Sequence, residues 1–507
     1  MRVIVIGLDG VNWDVLNYMA RKGVLKVIPA LIEKGRWAIL RSTIPPITAP
    51  AWVSFATGVN PGKHGCFSFI KPGRSLAVGK PISSLDIKVP TLYELLEREG
   101  FTSILINLPV SYPPKIKEGI VITSLMTRGD NFIFPREVIK KVPELRRYRL
   151  VPDASLYITG RISDYIRDIR LLERVRFRCA VKLLKFKWDF FFILFSGTDF
   201  AHHAAYDKIF RNNRQDKVAN EILKLYKEID EYIGYIMRRA PDDALIILMS
   251  DHGFKTYRGL FSINAWLRRK GLLKLEITDV SVRPHAFAKS IHEAMDSRLT
   301  RPLIKTLPII VNRLCGQNTL TPLATALINI LPRIMPVLTH IEIGTKIYPK
   351  ESVAYSPHIS SHGIYINVRD KFKDGIVDPS EYGSIRAEII EELNKLREPS
   401  GKAKLFEAVL KKEEVYKGKE LDKAPDILII PRNYSTNWNN PLSLLREQPF
   451  NFHDLFGILV MYCPGHRVNY KVPTGCLADI YDIAPTILKV FSINAPTYMD
   501  GHSLIDH

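Results

Sequence analysis

Cysteine is scarce in this chain. Five are spread over 507 residues (Cys66, Cys179, Cys315, Cys463 and Cys476), odd in number and with no CxxC pair. That spacing excludes a disulfide framework and a zinc ribbon, and it points to a reducing, cytoplasmic setting. A cleavable leader is not expected either, since the apolar run of MRVIVIGLDG lasts four residues before Gly7 and reads as a buried first strand. Long hydrophobic runs are absent too. The most apolar late stretch, residues 320–338, is broken by Pro322, Pro332, Arg333 and Pro336, so it reads as a helical cap over a pocket, with a surface membrane anchor as the alternative. Repeats and low-complexity tracts do not occur. Acidic charge is in short supply, with 52 Asp and Glu against 72 Lys and Arg and a net charge of +20. Such a balance favours anionic partners: nucleic acid, an anionic membrane face or a phosphorylated substrate. No specific nucleic-acid motif accompanies it. A hydrophobic fraction of 46% allows a large core and excludes a disordered chain.

What is present is an alternation of short apolar runs with helical periodicity: VIVIGL (3–8), SILINL (103–108), FFFILFSG (190–197) and ALIILMSD (244–251). Continuous apolar strands separated by helices predict an α/β fold with a mostly parallel central sheet covered by helices on both faces. Residues 161–187 read as an amphipathic surface helix. Strand-like runs resume at GIYINV (363–368), DILII (426–430) and FGILVMY (456–462), and a last helix begins near Asp482, so the sheet is expected to be built from both ends of the chain. The expected organisation is a first part of the catalytic core over 1–273, a helical insertion or cap over 274–345, and the remainder of the core over 346–507.

Ligands of parallel sheets bind beyond the carboxyl ends of the strands, and acidic and histidine residues recur there. Asp9 follows the first run, Asp199 the third and Asp251-His252 the fourth. A single aspartate in such a place is often a helix cap, but three converging on one sheet edge are harder to explain that way. In TDFAHH, Asp199 and His203 are four apart and share one helical face, whereas His202 points elsewhere. Oxygen and nitrogen donors without thiolate suit Zn²⁺ or Mn²⁺, and three carboxylates with two histidines exceed the needs of one tetrahedral ion. Two metal ions are implied. In TIPPITAPAWVSFATGVNPGKHG (43–65), Thr48 stands where a helix begins, either as an ordinary N-cap or as a hydroxyl facing a phosphate at the positive helix end. Lys63 and His64 face an anion or the solvent, and Asn107, near the end of the second run, is an amide donor or a turn residue.

Taken together and in order, GLDG, IPPITAPAWVSFATGVNPGKHG, TDFAHH, SDHGF, the histidine before GILV (His453) and the closing DIAPTILKVFSINAPTYMDGHSL resemble the type I phosphodiesterase/nucleotide pyrophosphatase family of the alkaline phosphatase superfamily. The motifs span 3–270 and 353–504; none falls in 274–345. The resemblance implies an alkaline-phosphatase-like three-layer sandwich and a hydrolase of phosphoric esters. It makes Thr48 the nucleophile and a metal ligand beside Asp9, Asp251 and His252. Asp199, His203 and His453 would hold a second ion, with His362 and His502 as competing late histidines. Zn²⁺ is expected first and Mn²⁺ second. Where many relatives carry an Asn, or an Asp before Phe, shortly after NPGKHG, this chain has Ser68, which leaves Asn107, Lys63 and His64 as the candidate substrate contacts.

The expected chemistry is a two-metal, in-line phosphoryl transfer on a small phosphate ester such as a nucleotide. Alternatives are a phosphomonoesterase or phosphotransferase of the same superfamily, an enzyme acting on lipid-linked phosphoesters at a membrane surface, and a non-catalytic basic binding protein. Residues 136–187 carry 15 Lys or Arg against 6 Asp or Glu. They are expected to steer anionic substrates, or an anionic membrane with which the protein makes peripheral contact, toward the sheet edge.

Overall fold

The computed structural model describes residues 1–75, 79–127, 129–211, 215–282, 341–357, 362–436, 443–465, 468–471 and 473–506. Nine strands make the central sheet: β1 (Val3–Leu8), β2 (Arg36–Arg41), β3 (Ser103–Leu108), β4 (Ile120–Thr123), β5 (Ile133–Phe134), β6 (Phe190–Phe195), β7 (Leu245–Met249), β8 (Phe456–Tyr462) and β9 (Cys476–Asp479). Their order is β9-β2-β8-β7-β1-β6-β3-β4-β5. Contacts from β7 through β4 are parallel, as is β9 with β2. Strand β8 runs against both β2 and β7, and β5 against β4, so the sheet is mixed and predominantly parallel.

Helices cover both faces because side chains along each strand alternate between them. Ile4, Ile6 and Leu8 pack toward Ile166 and Ile169 of α3 (Ile162–Leu183) and Ile222 and Leu225 of α5 (Lys217–Met237). On the other face, Val3 and Val5 share a core with Trp52 and Phe55 of α1 (Thr48–Thr57) and Ile483 and Ile487 of α7 (Ile483–Val490). The three-layer sandwich expected from the sequence is present.

Two expectations need correction. The runs GIYINV and DILII do not extend the central sheet. Gly363–Ile366 and Ile427–Pro431 lie in a separate four-stranded antiparallel sheet with Ala354–Tyr355 and Phe406–Lys411. That sheet packs with α6 (Tyr382–Lys395) around its own core of Trp266, Ile364, Leu393 and Ile427. Only the end of the segment 346–507 returns to the main sheet, through β8 and β9. The helical reading of 274–345 also fails at both ends, where Leu275–Val282 and Ile341–Ile347 pair as antiparallel strands. Residues 283–340, including the apolar stretch 320–338, lie outside the described residues. Among the described residues no helix is long and apolar enough to cross a membrane.

Candidate active site

Strands β7, β1 and β6 are consecutive and parallel in the sheet, so their carboxyl ends lie side by side. Asp251, Asp9 and Asp199 follow them directly, which is why three aspartates far apart in sequence meet. Asp199 enters through α4 (Gly197–Ile209), which starts immediately after β6 and also carries His203. His453 arrives from Phe450–Asp454, paired antiparallel with Gly253–Tyr257 so that His453 sits opposite Phe254.

The donors form two buried groups, Asp9 with Asp251 and His252, and Asp199 with His252 and His453; within each, one ligand atom per residue lies within 4.8 Å of the others. His252 Nε2 is 3.3 Å from Asp251 Oδ2 and 3.6 Å from Asp9 Oδ1. His203 Nε2 is 3.5 Å from Asp199 Oδ2 and 3.0 Å from His453 Nε2, and His453 Nε2 is 3.3 Å from Asp199 Oδ1. Thr48 Oγ1 stands 3.2 Å from His252 Nε2. Thr48 is the first residue inside α1, and Ile47 occupies the cap position, so the N-cap reading of Thr48 does not hold.

This donor set fits cations. Nδ1 of His252 donates to Gly253 O at 3.0 Å and Nδ1 of His453 to Pro46 O at 2.9 Å, which leaves both Nε2 atoms as lone-pair donors facing Thr48 Oγ1 and His203 Nε2. Asp9 Oδ1, Asp199 Oδ1 and Asp251 Oδ2 are buried and accept no hydrogen bond. Three orphaned carboxylate oxygens and imidazole lone pairs in one enclosure are what positive charge satisfies. Burial, with the neighbouring carboxylates Asp251 and Asp199, pushes the Asp9 pKa well up. Burial and then Asp199 raise Asp251 to about 7. Burial acts the same way on Asp199, but the His203 and His453 imidazoles outweigh it and hold that carboxyl low. Burial also depresses His252 and His203 to about 4, keeping the rings neutral and able to coordinate. Gly10, with φ of 69°, is needed here because a Cβ would come within 3.1 Å of Asp199 Oδ1.

Of the competing histidines, His362 is buried against Thr436 Oγ1 at 2.6 Å, and His502 is exposed near the C-terminal end with its N–H on Asp482. Neither is in the two donor groups. His202 turns away, its ring between Gly10 O and the Tyr226 hydroxyl. The three expected substrate contacts are engaged elsewhere. Lys63 Nζ reaches Asp500 Oδ1 at 2.5 Å and Tyr498 O at 2.7 Å. His64 is fully buried between Ser54 Oγ and the Cys66 N–H. Both amide hydrogens of Asn107 are used on Leu194 O and Ser196 Oγ.

One support was not foreseen. Glu173 and Arg176, both fully buried on α3, form an ion pair at 2.5 Å; Glu173 also accepts from Gly197 N at 2.6 Å, and Arg176 donates to Ser196 Oγ and the Tyr148 hydroxyl. The pair therefore braces the turn that delivers Asp199. Its signal is legible, because Glu173 and Arg176 fall on the same helical stripe as Ile166, Ile169 and Leu172, where apolar residues are expected.

The fold is alkaline-phosphatase-like, a mixed central sheet between helical layers, and its carboxyl edge carries two groups of residues that could hold metal ions. Similar solved structures include phosphonoacetate hydrolase from Sinorhizobium meliloti 1021 bound to phosphonoformate (15% identity, 96% of this chain and 94% of that one, TM-score 0.55). Another is the alkaline phosphatase PafA (13% identity, 99% and 98%, TM-score 0.52). Murine ectonucleotide pyrophosphatase/phosphodiesterase 5 is similar over the whole of both chains (11% identity, TM-score 0.50). No curated protein matches the sequence. The family model of type I phosphodiesterase/nucleotide pyrophosphatase matches residues 3–306, and the chain belongs to that family. The match runs past the expected limit at 270 and stops before the second sheet.

Proposed function

We propose that the protein is a two-metal phosphodiesterase that uses Thr48 as nucleophile on a small phosphate diester or a nucleotide. The observation that carries this reading is the placement of Thr48 Oγ1, at the start of α1, beside His252 Nε2, which itself lies 3.3 Å from Asp251 Oδ2 and 3.6 Å from Asp9 Oδ1. Asp9, Thr48, Asp251 and His252 would hold one divalent ion and Asp199, His203 and His453 the other, with Zn²⁺ favoured over Mn²⁺ by the mixed nitrogen and oxygen donors. Such ions lower the pKa of a bound hydroxyl and neutralise charge on phosphoryl oxygens. The chain's own part is positional. At the start of α1, Pro50 has no N–H and Ala51 N is bonded to Ile47 O, so the free donors facing a phosphoryl oxygen are the Thr48 and Ala49 amides. Thr48 Oγ attacks phosphorus as the bond to the leaving oxygen breaks opposite it. Water then cleaves the phosphothreonine, releasing the phosphorylated product and restoring the hydroxyl.

The comparison structures lend support: an inactive threonine-to-alanine variant of the murine enzyme is seen in complex with AMP. Among the described residues four cysteines are free, three of them buried, which suits a reducing, cytoplasmic compartment. The test is Thr48→Ala. Turnover of bis-p-nitrophenyl phosphate is expected to fall at least a thousandfold, while metal analysis still returns two ions per chain. Retained activity refutes the nucleophile, and a wild-type preference for p-nitrophenyl phosphate over the diester refutes the substrate class.

A further inference from the structure

The strongest unassigned feature lies on the outside of α3. Arg167, Leu171, Arg174, Arg178 and Lys182 follow one another at spacings of four, three, four and four. On an α-helix they fall within an arc of about 80° and span about 22 Å. All but Arg174, which is half-buried, are exposed. At the far end of this row lie Lys185 and Lys187, and beside it Lys140, Arg146 and Arg147, all exposed. Lys182 pairs with Glu144 at 3.9 Å, which joins the two groups into one surface. Arg167 and Arg174 are partly neutralised by Asp164, Glu221 and Glu228. Among the described residues no ion pair reaches Arg146, Arg147, Arg178, Lys185 or Lys187.

Apolar side chains stand exposed among these cations. Leu171 is 54% exposed within the row itself. At its near end, α2 (Ala154–Ile158) buries none of its residues, and Val151, Tyr157 and Ile158 are 47%, 43% and 41% exposed. These four are almost half of the nine large hydrophobics exposed among the described residues, gathered within residues 151–171.

We infer that the α2–α3 face docks on an anionic lipid bilayer. Cations alone would suit a nucleic acid equally well. Exposed Val, Ile, Leu and Tyr interspersed with arginines suit the boundary between headgroups and acyl chains, where an apolar body is buried and a charge meets phosphate. The face offers no exposed row of aromatic rings on which bases would stack. The cations at the C-terminal end of α3 lie near the start of β6, away from the carboxyl edge that carries the candidate site. The inference does not depend on the nucleophile proposed above.

The experiment is co-sedimentation of the full chain with vesicles of phosphatidylcholine alone or mixed with phosphatidylglycerol. Binding is expected only to the mixed vesicles and is expected to be released by salt. Arg178→Gln, Lys182→Gln and Lys185→Gln together should lower partitioning about 100-fold. Tyr157→Ser with Ile158→Ser should also lower it, while leaving any binding to an RNA oligonucleotide unchanged. Both variants should keep the wild-type rate on a soluble diester, which shows that they are folded. Vesicle binding unaffected by either variant, or preferential binding of the RNA, overturns the inference.

Discussion

Glu173→Gln isolates a single charge. Glu173 Oε1 accepts two hydrogen bonds, from Arg176 and from Gly197 N, whereas Oε2 has no partner. A glutamine in the same rotamer keeps both bonds through its carbonyl oxygen and puts its amide where nothing was bonded. What it removes is the negative charge opposite a guanidinium with no exposure to solvent. Two charge-assisted bonds then become weaker ones, at about 1 kcal/mol each. The uncompensated buried cation brings the expected loss to about 3 kcal/mol. Urea unfolding of the substituted protein measures it, and adding Arg176→Met should recover most of the loss because the unpaired cation goes with it. A loss below about 1 kcal/mol in the single variant would refute the reasoning. Arg176 would then be compensated by the catalytic carboxylates, whose Asp9 already feels its charge. If the pair does brace the turn before Asp199, the same variant should also weaken metal binding.

His64 supplies a test by pH. Burial depresses its pKa from 6.5 to about 3, so between those values the unfolded chain takes up a proton that the folded protein refuses. Its contribution is complete above pH 6.5 and falls as the pH drops, by about 2 kcal/mol at pH 5; His64→Gln should flatten the decline of Tm between pH 6.5 and 5, and an unchanged slope would return the ring to a solvated or substrate-facing position. Lys63→Met should lower stability by at most about 1 kcal/mol, the worth of a partly exposed ion pair. Its kcat and KM on a diester should stay within twofold of wild type, whereas a tenfold rise in KM would restore Lys63 as a substrate contact.

The parts of the site that were legible are those tied to strand ends. Asp9, Asp199 and Asp251 could be read because an apolar run stops just before each, and a parallel sheet turns that stop into a shared edge. His453 had no such signal: it reaches the site through an antiparallel pairing with Gly253–Tyr257, and only the motif order pointed to it. The same limit explains the misplaced strands. GIYINV and DILII have the continuous apolar character of central strands, but their core is covered by α6 and not by the helices of the main sheet. Apolar continuity reports burial on both faces; it does not report the partner strand. Asn107, Lys63 and His64 show a related limit. Their place in the motifs suggested substrate contacts, but it does not report the protein groups that Lys63 and His64 bond or that Asn107 reaches through its amide nitrogen.

The excess of positive charge takes on a different role once it is located. Strand β6 begins at Phe190, just after the Lys185 and Lys187 end of the α3 segment, and reaches the site only at its far end, six strand residues later. At about 3.3 Å per residue that separates these lysines from Asp199 by about 20 Å, more than two Debye lengths at physiological ionic strength. Exposed charges so far apart are screened, so this part of the cluster cannot steer substrate to the carboxylates. Meanwhile the site gathers three aspartates with little compensating protein charge, which is the arrangement that binds cations rather than phosphates directly. On the two-metal reading proposed above, recognition of a phosphate waits for the metal ions, and the Lys185 and Lys187 end of the basic face is left for the separate anionic surface inferred above.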